Sequence, residues 1–73
     1  VNIIRKISVG PDYMKCMHYT VGQEVLNKEY VIHAITENKN GGFLIWIQKD
    51  IEIVCWKNFS NTMPVSVEYK IDF

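Results

Sequence analysis

The sequence predicts a small all-β domain, and three observations carry that prediction. Residues 65–73 alternate, with Val65, Val67, Tyr69, Ile71 and Phe73 against Ser66, Glu68, Lys70 and Asp72, the period of two of a half-buried strand. Asn40 and Gly41 stand between two β-rich runs, 30–36 and 43–47, the signature of a tight hairpin. No stretch sustains helical periodicity beyond a single turn. The expected architecture is a small SH3-like barrel or a strongly curved antiparallel sheet of roughly five to six short strands. One domain spans residues 1–73, with at most one short helical turn near residues 11–18.

Taken in order, residues 2–8 read as a first strand, which Val9, Gly10, Pro11 and Asp12 end with turn chemistry. Pro11 and Asp12 are suited to open one helical turn, with Tyr13 and Met17 on one side. Thr20, Val21 and Gly22 stop it. Residues 23–26 form a short strand, Asn27 and Lys28 turn, and residues 29–37 form the next strand. A two-residue type I′ turn at Asn40 and Gly41 would set Ile35 opposite Trp46, Thr36 opposite Ile45 and Ala34 opposite Ile47. A second tight turn near Lys49 and Asp50 would return the chain as 51–56, with Trp46 opposite Ile53 and Phe43 opposite Trp56. Residues 57–63 are polar and read as a loop before the last strand. The two terminal strands are expected to pair, which leaves fewer open edges. Residues 43–47 are apolar on both faces, so Leu44, Trp46, Ile35 and Ile53 are expected to need cover from outside.

Size and charge narrow the function. Seventy-three residues lie near the lower limit for a core that is stable alone, so self-association is expected. An apolar content of 48% excludes a disordered chain. Eight Lys and Arg balance eight Asp and Glu, and Arg5 is the single arginine, which argues against a surface built to neutralise phosphates. Residues 1–6 have no secretory character and residues 43–47 are too short to cross a bilayer. The expectation is a cytoplasmic protein with no membrane contact, whose Cys16 and Cys55 are thiols.

Candidate chemistry centres on one run, Tyr13, Met14, Lys15, Cys16, Met17, His18 and Tyr19. Cys16, His18, His33 and Cys55 are the inventory of a zinc site, but their spacing lacks the paired knuckles that pre-organise ligands. No metal and no cofactor are expected. A Cys16–His18 nucleophile within one local turn lacks both good geometry and an orienting third group, so no catalytic residue is assigned and the chain is not expected to be an enzyme. The glycines at 10, 22, 41 and 42 lack the spacing and following helix of a phosphate cradle. Trp46, Trp56 with Lys57, and Tyr30 with Lys28 offer only a thin version of the aromatic and basic surface that binds nucleic acid.

The run Lys6-Ile7-Ser8-Val9-Gly10-Pro11-Asp12-Tyr13, followed by Met17-His18-Tyr19-x-Val21-Gly22-Gln23, resembles small accessory proteins of tailed bacteriophages. Trp56-Lys57 and the ending Val67-Glu68-Tyr69-x-Ile71-x-Phe73 are similar to them as well, so the resemblance spans most of the chain. It implies a small non-catalytic protein made in the cytoplasm of an infected bacterium and acting by binding. Its implied targets are a host enzyme, a defence component or a nucleotide signal held between subunits. No functional residue is carried over by it.

The leading expectation is a binding protein that occludes a host or defence protein, or a second copy, through Tyr13, Met14, Met17, Tyr19 and Trp46. Methionine and tyrosine suit such contacts because they pack adaptably and are enriched at interfaces. The alternative is an oligomer sequestering a nucleotide-type small molecule, with Arg5 and Lys15 supplying charge and Tyr13 stacking. A weak nucleic-acid-binding SH3- or OB-like barrel is the third expectation.

Overall fold

The computed structural model describes residues 2–10, 16–63 and 65–72, without the side chains of residues 2 and 69–72. The helical turn expected near residues 11–18 falls partly on residues 11–15, outside the described set. Its remainder is not helical, because Met17 opens a strand. The strands are β1 (Asn2–Val9), β2 (Met17–Thr20), β3 (Glu24–Val25), β4 (Tyr30–Glu37), β5 (Phe43–Lys49), β6 (Glu52–Phe59) and β7 (Val65–Asp72). They make one antiparallel sheet whose path runs β2-β1-β4-β5-β6, with β3 also beside β4 and β7 also beside β1. Among the described residues β6 pairs only with β5 and β7 only with β1, so the sheet does not close into a barrel.

The terminal strands pair as expected, with Ile7 opposite Val67 and Val9 opposite Val65. The strand count exceeds the expected one because residues 17–25 make two strands. The first four run along β1, and the chain then crosses to β4: Val21 N–H donates to Arg5 O at 3.1 Å, and Gly22 N–H donates to Ile32 O at 2.9 Å. β1 and β4 are each divided in the same way. β1 faces β4 at Ile3 and β2 from Lys6 onward. β4 faces β3 at Tyr30 and Val31 and β1 at Thr36. Register shifts fall at those changes of partner, beside Arg5 in β1 and at His33 in β4. An extra residue bends a strand and raises its twist, which is how these strands turn to a new neighbour.

The β4–β5 connection is one residue longer than the sequence suggests. Gly41 N–H donates to Asn38 O at 3.1 Å and Asn38 N–H donates to Gly42 O at 2.9 Å. Gly41 has φ +83, while Asn40 is not among the residues of positive φ. This is a three-residue loop, a type I turn closed by a glycine in the left-handed region, in place of a type I′ turn that needs positive φ twice. The extra residue moves the register by one, so Ile35 pairs with Ile45 and Thr36 with Leu44. Gly42 is buried, and a Cβ there would collide with Phe59 O. The β5–β6 turn is Asp50 and Ile51, with φ +54 at Asp50. It sets Lys49 opposite Glu52, Trp46 opposite Cys55 and Phe43 opposite Phe59, not Ile53 and Trp56 as expected.

The core is built of isoleucine. Ile4, Ile7, Ile32, Ile35, Ile45 and Ile47 are fully buried, with Tyr19 and Val25 beside them. Branching at Cβ suits a pleated surface, and each such burial contributes about 1.5–3 kcal/mol.

Candidate functional site

β5 has two apolar faces, and only one of them is the core. Cross-strand partners share a face, so the pairing sorts them. Ile45 and Ile47 lie with Ile35 and Ile32 in the core. Leu44 and Trp46 point the other way, with Thr36 and Ala34 on one side and Asn58 and Cys55 on the other. Val31 and Ile53, both opposite Gln48, complete this outer strip and are 40% and 45% exposed. Trp46 is half-buried, and its Nε1–H donates to Thr36 Oγ1 at 3.0 Å. The expectation that Ile35 would lie on the outer face is corrected: the extra loop residue pairs it with Ile45 and so places it in the core, while the bulge at His33 brings Ile32 to the same face.

The methionine- and tyrosine-rich run does not join this strip where it is described. Tyr13, Met14 and Lys15 lie outside the described residues. Tyr19 pairs with Ile7 on the core face and is 3% exposed. Its ring meets Trp56 edge-on at 5.8 Å and Phe59 at 5.9 Å, and burial pushes its phenol pKa up. The Tyr19 hydroxyl donates to Met17 Sδ at 3.7 Å, while Met17 itself is 58% exposed. Tyr19 and Trp46 thus occupy opposite faces. Arg5 is exposed on β1, at the position where that strand changes partner.

The titratable residues are dispersed. His18 Nδ1 and Ser8 Oγ lie 2.7 Å apart, a hydrogen bond between paired residues of β1 and β2. Cys16 is half-buried, with its thiol donating to Gly10 O at 3.6 Å. Cys55 is an exposed thiol on β6, and His33 is exposed at the β4 bulge. Among the described residues no three of His, Cys, Asp and Glu come together.

Sequence reasoning missed one feature, an open cleft of about 540 Å³ lined by Asn38, Asn40, Asn58, Ser60 and Asn61. Much of its polarity is already engaged. Asn38 Oδ1 accepts from Asn40 N–H at 2.9 Å and Gly42 N–H at 2.8 Å, and Nδ2 donates to Asn58 Oδ1 at 3.0 Å and Phe59 O at 3.3 Å. One carboxamide therefore ties the loop after β4 to the end of β6. The asparagines at 38, 40, 58 and 61 were the available signal, of which Asn40 reads from sequence as a hairpin turn and 58 and 61 as part of a polar loop. Comparison with family models, curated proteins and solved structures returns no match.

Proposed function

We propose that this chain is a small non-enzymatic binding protein that occludes a partner protein with the outer face of β4, β5 and β6. The observation that supports this reading is the apolar strip of Val31, Leu44, Trp46 and Ile53 on the side of the sheet away from the core. Tryptophan is enriched among residues that dominate binding energy. Thr36 and Asn58 flank Leu44 on the same face, and Gln48 lies between Val31 and Ile53. Of the contact residues expected from sequence, Trp46 is the one this reading keeps at its centre. Resemblance to bacteriophage accessory proteins makes a bacterial host or defence protein, met in the cytoplasm, the partner class.

No observation favours the nucleotide-sequestering alternative, since the described cleft offers amides and a hydroxyl without a cation. The test is capture of bacterial proteins from lysate by immobilised chain. Val31→Glu and Ile53→Glu are at exposed positions, where substitutions typically change stability by about 0.5 kcal/mol or less. Each is expected to lower capture at least about tenfold, a loss of about 1.4 kcal/mol. Undiminished capture by both folded variants overturns the assignment.

A further inference from the structure

The edge of β6 is apolar and, among the described residues, open. Among the described residues β6 pairs with β5 alone, and Glu52, Ile53, Val54 and Cys55 are all exposed. The opposite edge, β7, carries Glu68, Lys70 and Asp72 at alternate positions, charges of the kind that blunt an edge against pairing. β6 instead has Ile53, Val54, Cys55 and Trp56 together, with Glu52 at one end and Lys57 at the other.

The two faces of β6 follow from its pairing with β5. Glu52, Val54 and Lys57 stand opposite Lys49, Ile47 and Ile45, alternate residues of β5, so all three share a face. Ile53 and Cys55, opposite Gln48 and Trp46, share the other. Trp56 is the extra residue at the register shift. Without that bulge, Glu52 and Lys57 would point to opposite faces.

We propose that a second copy of this chain pairs with it, β6 to β6 and antiparallel, about a two-fold axis at Val54. Such an axis sets residues of one face opposite one another. Val54 meets Val54 of the other copy, and Ile53 meets Cys55. Glu52 meets Lys57, and the symmetry makes this charge pair twice. The strand is thus complementary to itself in charge, face and ladder position, and the bulge is what brings the charges into step. Opposite charges directly across a ladder favour a register and like charges oppose it. The main-chain groups of both edges gain partners, and the two outer strips become one surface.

Light scattering coupled to size exclusion on the purified chain tests this. The expected result is a particle of twice the 8.6 kDa chain. Glu52→Lys or Lys57→Glu alone is expected to weaken the dimer at least about tenfold, and E52K/K57E together to restore it to within about threefold. Val54→Cys combined with Cys55→Ser, treated with diamide, is expected to give a covalent dimer, two thiols giving up two protons and two electrons to the diamide. Opposed Cα atoms in such a pair stand about 4.5–5.5 Å apart, within disulfide reach. A monomeric wild-type chain at about 1 mM, a charge swap as weak as the single variants, or wild-type Cys55 cross-linking to itself overturns the proposal. Val31→Glu leaves this interface intact, so loss of capture by that variant in a dimer separates the outer-face reading from this one.

Discussion

Tyr19 shows how one residue's role depends on a local period. Residues 17–20 alternate, Met17 and Tyr19 on the core face, His18 and Thr20 on the other. The alternation was present in the sequence but spans only four residues, too few to stand out beside a run rich in Met, Cys and His. Burial raises the phenol pKa above the ordinary tyrosine value of 10.0. The unfolded chain therefore releases this proton at lower pH than the folded chain does, and above about pH 10 the unfolded state binds fewer protons. Tyr19's contribution is complete below that value and is lost as pH climbs through the folded pKa. Urea midpoints are expected to hold level up to about pH 9.5 and then fall, and Tyr19→Phe is expected to flatten the fall.

At the scale of elements, both hairpins of β4, β5 and β6 were legible, but the β4–β5 loop is one residue longer than expected and the β5–β6 turn falls one residue later. Asn40 and Gly41 do mark the β4–β5 hairpin, but the Asn38 side chain bonds the N–H groups of Asn40 and Gly42 and favours the longer loop. A side-chain amide competing for loop N–H groups is a local event, yet it moves every cross-strand pair by one. The β3–β4 turn holds a different tension. Leu26, Asn27 and Lys28 have φ of 54, 59 and 68, three successive residues in a region that costs L-residues about 1–2 kcal/mol each. Glu29 N–H donates to Leu26 O at 3.2 Å, and Lys49 Nζ lies 3.9 Å from Glu29 Oε2, so the turn is braced from β5. Lys28→Gly relieves one of the three positions at the expense of unfolded-state entropy. It is expected to stabilise the chain by about 0.5 kcal/mol, a rise of roughly 2–4 °C in the melting midpoint by calorimetry.

For the whole molecule, the all-β class and the pairing of its terminal strands were legible. Alternation in residues 65–71 and the β-rich start of the chain each needed a partner, and each found the other. The division of β1 and β4 between two neighbours was not legible, because bulges at Arg5 and His33 have no composition of their own. Among the described residues β1, β4 and β5 are paired on both sides, and β6 and β7 on one. Hydrogen exchange is expected to be slowest at Ile4, Ile32, Ile35, Ile45 and Ile47, whose side chains are at most 1% exposed, and faster along β6 in dilute solution. Protection of β6 is expected to rise with protein concentration, which mass spectrometry of the exchanged chain reads directly.

The bulges at His33 and Trp56 also bear on chain length. In a regular strand the loss of one residue turns every later side chain through the sheet, so strands seldom tolerate deletions. At His33 and Trp56 the surplus residue already stands outside the ladder, with Ile32 and Ala34, and Cys55 and Lys57, taking successive places against β5. Removing it would leave all other side chains facing as they do now. His33 is exposed, while the Trp56 ring packs on Tyr19, so His33 is the position where this protein can become shorter with its pattern against β5 kept.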